Sequence, residues 1–114
     1  MHEVSIMQNT LDIAIAQAQE NSAKKIDNLT MNIGKLSGVI PEALEFAFDI
    51  LIQGTIAENA QLKIKTIPIV CYCQSCDHNF QPAEYIFECP QCQEISINIV
   101  TGRELELASV VVSS

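Results

Sequence analysis

The chain has 114 residues, 48% of them hydrophobic, with five cysteines, no tryptophan and a formal net charge of −8 at pH 7. That length fits one domain, or a domain with a small satellite. The acidity excludes a protein that coats nucleic acid, where clustered Lys and Arg supply most of the affinity, and suits a soluble protein or one that meets a basic partner. No apolar run approaches the roughly 18 residues of a membrane span. The odd cysteine count, the paired spacing and the lack of a signal peptide favour a reducing compartment, so the expected location is cytoplasmic.

From Val4 to Glu20 the apolar residues Val4, Met7, Leu11, Ala14, Ile15 and Ala18 recur at helical spacing. Ile6 and Ile13 lie on nearly the opposite face, so the helix is either buried on both faces or carries a docking surface there. Gln19 to Asn28 is polar and reads as a loop. Leu29, Met31 and Ile33 alternate with Thr30 and Asn32, the pattern of a half-buried strand. Gly34 to Gly38 breaks it. Pro41 then sits in the first turn of a helix, where its missing N–H is no loss. That helix runs to about Gln53, keeps Glu42, Glu45, Asp49 and Gln53 on one narrow face, and is expected to be the most buried. Gly54 ends it.

Leu62 and Ile64 alternate with Lys63 and Lys65 in a strand leading to Pro68. Ile95, Ile97 and Ile99 alternate with Ser96 and Asn98. After Gly102, Glu104 to Val112 reads as a last strand with Leu105, Leu107 and Val111 on one face. This order predicts an α+β fold, two helices on a small antiparallel sheet, with a zinc-ribbon-like module inserted between two strands.

The module is marked by two Cys-x2-Cys pairs twelve residues apart, Cys73/Cys76 and Cys89/Cys92. Each pair puts two sulfurs on one turn, and the four together make the closed donor set of a structural Zn2+ site. Iron in a rubredoxin-like centre is the competing reading. Such knuckles usually carry glycine after the second cysteine, where φ is positive, whereas these positions hold Asp77 and Gln93. Cys71, two residues before Cys73, is either a small buried hydrophobe or a substitute ligand or redox partner. His78 reads as a solvated loop histidine.

The chain begins Met1-His2-Glu3. A terminal amine, with an unperturbed pKa of about 7.7–8.0, can lose its proton to a metal at neutral pH. The amine and the backbone nitrogen of His2 close a five-membered chelate ring. That nitrogen and His2 Nδ1 close a six-membered one. Fused rings of this kind hold three corners of a square plane, which suits Ni(II) or Cu(II), and leave a fourth corner for Glu3, water or another donor.

The whole chain resembles the hydrogenase nickel-incorporation family (HypA/HybF). The resemblance is carried by Met-His-Glu, Gly-Lys-Leu-Ser-Gly-Val (34–39), Pro-Glu-Ala-Leu-Glu-Phe-Ala-Phe (41–48), Gly-Thr (54–55), the paired cysteine turns and Gly-Arg-Glu-Leu-Glu-Leu (102–107). It implies a nickel metallochaperone and no enzyme, with Met1, His2 and Glu3 binding Ni(II) and Cys73, Cys76, Cys89 and Cys92 binding Zn2+. It implies a nickel-binding domain over residues 1–69 plus 95–114, a zinc-binding module over 70–94, and self-association in some members. The implied partners are a maturation-pathway GTPase and the NiFe-hydrogenase large subunit, with no nucleic acid and no membrane. The rival is a zinc-ribbon adaptor in which Met-His-Glu is incidental.

Overall fold

A computed structural model describes residues 3–83 and 85–114. The elements are α1 (Glu3–Glu20), β1 (Lys25–Gly34), α2 (Pro41–Leu51), β2 (Gln61–Ile67), β3 (Val70–Cys73), β4 (His78–Phe80), β5 (Ile99–Thr101) and β6 (Leu105–Ser113). They form two three-stranded sheets, ordered β2-β1-β6 and β4-β3-β5. The molecule measures 54 × 25 × 17 Å, too elongated for one central core, and it has two. No helix among the described residues is long and apolar enough to cross a membrane.

The expected α+β architecture of two helices with small sheets is present, with one difference in pairing. β6 is antiparallel to β1, but β2 is parallel to it. The chain leaves β1, crosses through α2 and returns in the same direction, which only a parallel neighbour can accept. α1 packs through Met7, Leu11, Ala14 and Ala18, spaced four, three and four apart. Ile6 leans half-buried against this core, while Ile13 is exposed on the rim of a groove of about 310 Å³ between α1 and β6. α1 is therefore not buried on both faces.

α2 has the smaller exposed share of the two helices, as expected. It buries Leu44, Ala47 and Phe48 but leaves Phe46 and Ile50 outside, so its polar residues are not the whole of its exposed face. β1 starts earlier than the hydrophobic alternation shows, at Lys25, because a bulge interrupts the period. Ile26 pairs with Val112 and Asn28 with Val111, leaving Asp27 extra, so Ile26 joins Leu29, Met31 and Ile33 in the core. A second bulge leaves Ala108 extra on β6 and turns Val110 and Val112 inward with Leu107. Leu105 and Val111, expected on the same face as Leu107, are exposed instead.

Ile95 and Ile97 do not extend β5. Single backbone bonds from Ser96 to Phe87 and from Tyr72 to Asn98 hold this stretch, and both isoleucines point into solvent. β5 itself pairs with β3, so residues 99–101 hydrogen-bond within the second sheet. Two chain segments pass between the sheets, 67–70 and 101–105. The loop after β1 clamps them: Lys35 N–H donates to Ile67 O, Leu36 N–H to Gly102 O (2.7 Å) and Gly34 N–H to Glu104 O (2.7 Å). Thr101 Oγ1 donates to Pro68 O across the two segments. Gly34 has no alternative here, since a Cβ would lie 2.1 Å from Gly102 O.

Candidate metal centre

β3 ends at Cys73, and β4 returns beside it with His78 paired to Cys73. The turn between them carries Cys76. In the second knuckle Gln93 N–H donates to Cys89 O (2.8 Å) and Cys89 N–H to Glu94 O (2.9 Å), which curls Cys89–Cys92 into a matching turn. Asp77 (φ 53°) and Gln93 (φ 62°) both occupy the left-handed region. The knuckle backbone is therefore the one glycine would adopt, achieved with side chains that have local anchors. The Tyr72 hydroxyl donates to the Asp77 carboxylate, and Gln93 Nε2 donates to Pro90 O at 3.3 Å. Left-handed Asp and Gln still cost roughly 1 kcal/mol each.

The four cysteines come together. Their sulfurs all lie within 4.8 Å of one another, with Cys73 Sγ 3.6 Å from Cys92 Sγ and Cys89 Sγ 3.9 Å from Cys76 Sγ. A tetrahedron with Zn–S bonds of about 2.3 Å has edges of about 3.8 Å. The thiols are already spaced as its corners and far beyond disulfide length, and all are free. Cys73 and Cys89 are buried, and Cys76 and Cys92 half-buried. The backbone N–H of Cys92 pulls Cys89 down to about 7, whereas the hydrogen bond with Cys92, then burial, pushes Cys76 up to about 12. Without a cation the cluster cannot hold four thiolates; a divalent ion resolves that conflict by displacing the protons. The donor set and spacing fit Zn2+, which would tie the two knuckles together as a closed structural centre.

Residues around the sulfurs carry support that the Cys spacing alone does not reveal. Ser75 Oγ donates to Glu94 Oε2 at 2.6 Å, linking one knuckle to the other, and the Ser96 hydroxyl bonds Tyr72 O. Cys71 takes the bland role: it is fully buried beside Ile69 and Phe80, outside the four-sulfur cluster, and burial pushes its thiol up. His78 is not a solvated loop residue. It is half-buried in β4, its Nδ1–H donates to Asn79 O at 3.0 Å, and its Nε2 is buried without a hydrogen-bond partner among the described residues.

Of the expected nickel ligands, Met1 and His2 lie outside the described residues. Glu3 opens α1, and its Oε2 accepts a hydrogen bond from Ile40 N–H (3.3 Å) at the residue preceding α2. The structure thus gathers the four sulfurs at the second core and places Glu3 at the meeting point of the two helix starts, on α1, which packs on the first core.

Fold and site together define a small α+β metal protein with a closed four-sulfur module. Sequence and structure comparisons make the class specific. A family model described as hydrogenase/urease nickel incorporation, metallochaperone, hypA matches residues 1–112. The hydrogenase maturation factor HypA of Picosynechococcus sp. is 52% identical over 110 residues, covering 96% of this chain and 97% of the relative. That of Dehalococcoides mccartyi is 36% identical over 110 residues, covering 96% and 92%. A solution structure of HypA protein superposes with a TM-score of 0.73 at 27% identity, covering 98% of this chain and 96% of that one. The nickel metallochaperone HypA from Helicobacter pylori shares the fold, with a TM-score of 0.69, 24% identity and coverage of 100% and 99%. The chain belongs to the HypA family, whose members are metallochaperones and maturation factors and not enzymes.

Proposed function

We propose that this chain carries Ni(II) on Met1, His2 and Glu3 and delivers it during NiFe-hydrogenase maturation, working in the cytoplasm with a maturation GTPase and the hydrogenase large subunit. Cys73, Cys76, Cys89 and Cys92 hold zinc. In this reading residues 1–69 plus 95–114 form the nickel-binding unit and 70–94 the zinc-binding core, with β5 lending the zinc core a strand. The observation that supports it best is the match of the family model from residue 1, so that Met-His-Glu falls inside the matched span.

The physical chemistry agrees. A neutral amine is the form that binds metal. The two fused chelate rings bring an anionic amide nitrogen, and Glu3 adds a carboxylate, so the donors neutralise the ion's charge. An exchangeable fourth corner suits a carrier, which must release what it binds. The zinc set is closed and releases nothing.

The test is nickel titration of tag-free protein against a version with one residue added before Met1. The addition shifts the amine and removes His2 from its chelate position. A loss of affinity of at least about 100-fold is expected, since three donors are displaced at once. Equal affinities would move the site elsewhere and leave the zinc-bearing adaptor as the function.

A further inference from the structure

Neither metal site uses the outer side of α2. Phe46 and Ile50, one helical turn apart, are 69% and 54% exposed. Ile40, just before the helix, is 56% exposed, and the Glu3–Ile40 hydrogen bond brings the start of α1, with Val4 58% exposed, to the same end. Singly scattered apolar residues on a surface need no explanation. Phe46 and Ile50 instead sit side by side on one helix, whose N-terminal end meets Glu3 through Ile40.

Charge identifies what could cover them. Glu42, Glu45 and Asp49 line α2 beside Phe46 and Ile50, and neither helix contains a Lys or Arg. The six basic residues are Lys24, Lys25, Lys35, Lys63, Lys65 and Arg103, all on β1, β2 and the connecting segments. The helical layer is therefore acidic without compensation. Two copies of this face brought together would set carboxylate against carboxylate, which disfavours a second copy as the occupant.

We propose that Phe46 and Ile50, flanked by Glu42, Glu45 and Asp49, dock into an apolar groove rimmed by Lys or Arg on a partner protein. This is recognition of an amphipathic helix by a groove, with the aromatic as anchor and the carboxylates setting register and encounter rate. Its consequence for delivery rests on the nickel reading above: Glu3 bonds Ile40 just before the helix that carries Phe46 and Ile50, so a partner on α2 engages an element tied to the start of α1.

The parent, Phe46→Ser/Ile50→Ser and Glu42→Lys/Glu45→Lys/Asp49→Lys are each titrated with purified NiFe-hydrogenase large-subunit precursor and, separately, with the maturation GTPase. The apolar variant is expected to bind at least one of them at least about 30-fold more weakly, with nickel affinity and melting temperature unchanged. The charge-reversed variant is expected to weaken the same pair about tenfold at low salt, a difference that shrinks as salt is raised. Parent-like binding of both probes by the Ser variant overturns the proposal, as does failure of the parent to bind either. So does a parent dimer that the Ser substitutions dissociate, because the occupant is then a second copy. His2→Ala separates the two readings: if it keeps nickel while the Ser variant still loses the partner, docking stands and the terminal carrier fails.

Discussion

Gly34→Ala probes the clamp between the two sheets. The new Cβ would sit 2.1 Å from Gly102 O, 2.2 Å from its carbonyl carbon and 2.7 Å from Arg103 N, all backbone atoms that no rotamer change can move. Reaching the 3.0 Å that Cβ contacts respect requires a backbone shift of about 1 Å. Such a shift stretches the 2.7 Å bonds Gly34 N–H to Glu104 O and Leu36 N–H to Gly102 O beyond useful length. Two lost backbone bonds cost about 1 kcal/mol each, and leaving their buried partners unsatisfied adds a similar amount again. The expected loss is about 3–4 kcal/mol, or a melting temperature lower by roughly 10–20 °C for a domain of this size. Gly38→Ala is the control: it has open space within 4 Å but φ +78°, so it should cost only about 1 kcal/mol of left-handed strain. Thermal melts followed by circular dichroism, with zinc content measured in parallel, compare the two. A Gly34→Ala protein that melts no lower than Gly38→Ala would refute the argument from close approach.

Cys73→Ser/Cys76→Ser removes two corners of the sulfur tetrahedron; zinc content measured by metal analysis should fall from about one per chain to near zero. Because Leu36, on the loop after β1, packs into the second core, nickel affinity or partner binding should shift as well. Parent-like nickel and partner binding would reduce the zinc centre to a local staple. Gln93→Gly relieves a left-handed side chain at roughly 1 kcal/mol but gives up part of that to unfolded-chain entropy. Its urea midpoint should equal or exceed the parent's with zinc retained, and a clear loss of stability would mean the Gln93–Pro90 bond outweighs the strain.

Much of this was legible in the residues because the strongest signals are local. Two Cys-x2-Cys turns carry their geometry with them, and the structure brings those four sulfurs together. The Met7-Leu11-Ala14-Ala18 stripe likewise finds the core. What failed needed non-local information. A bulge is invisible in one strand read alone, so Asp27 and Ala108 silently reversed which of Ile26, Val110 and Val111 faces inward. Strand direction depends on the connection, so alternation at Leu62 and Ile64 could not show that β2 is parallel to β1. Ile95 and Ile97 alternate like a strand, yet among the described residues this stretch pairs only through an isolated bridge from Ile95 to Glu88 and a single bond from Tyr72 to Asn98. The missing knuckle glycines misled in the opposite direction: Asp77 and Gln93 adopt positive φ because Tyr72 and the Pro90 carbonyl hold their side chains.

The size of the second core gives the metal its part in folding. Among the described residues its buried members are Ile69, Cys71, Cys73, Phe80 and Cys89, so three of five are cysteines. A unit of this size lies below what hydrophobic burial alone can stabilise, and small folds of that kind need a metal or a cross-link. Zinc bound to four thiolates supplies that energy directly, because the unfolded chain offers no assembled site. The first core is different: among the described residues it buries fifteen, from Met7 to Ala60, none of them a cysteine. In the proposed reading the two metals therefore stand in different relations to the protein. Zinc is a condition of folding for residues around β3–β5, sealed where exchange would unfold them, whereas the first core does not depend on the nickel proposed at residues 1–3. The Gly34–Gly102 clamp and the packing of Leu36 are the contacts through which the two cores are joined.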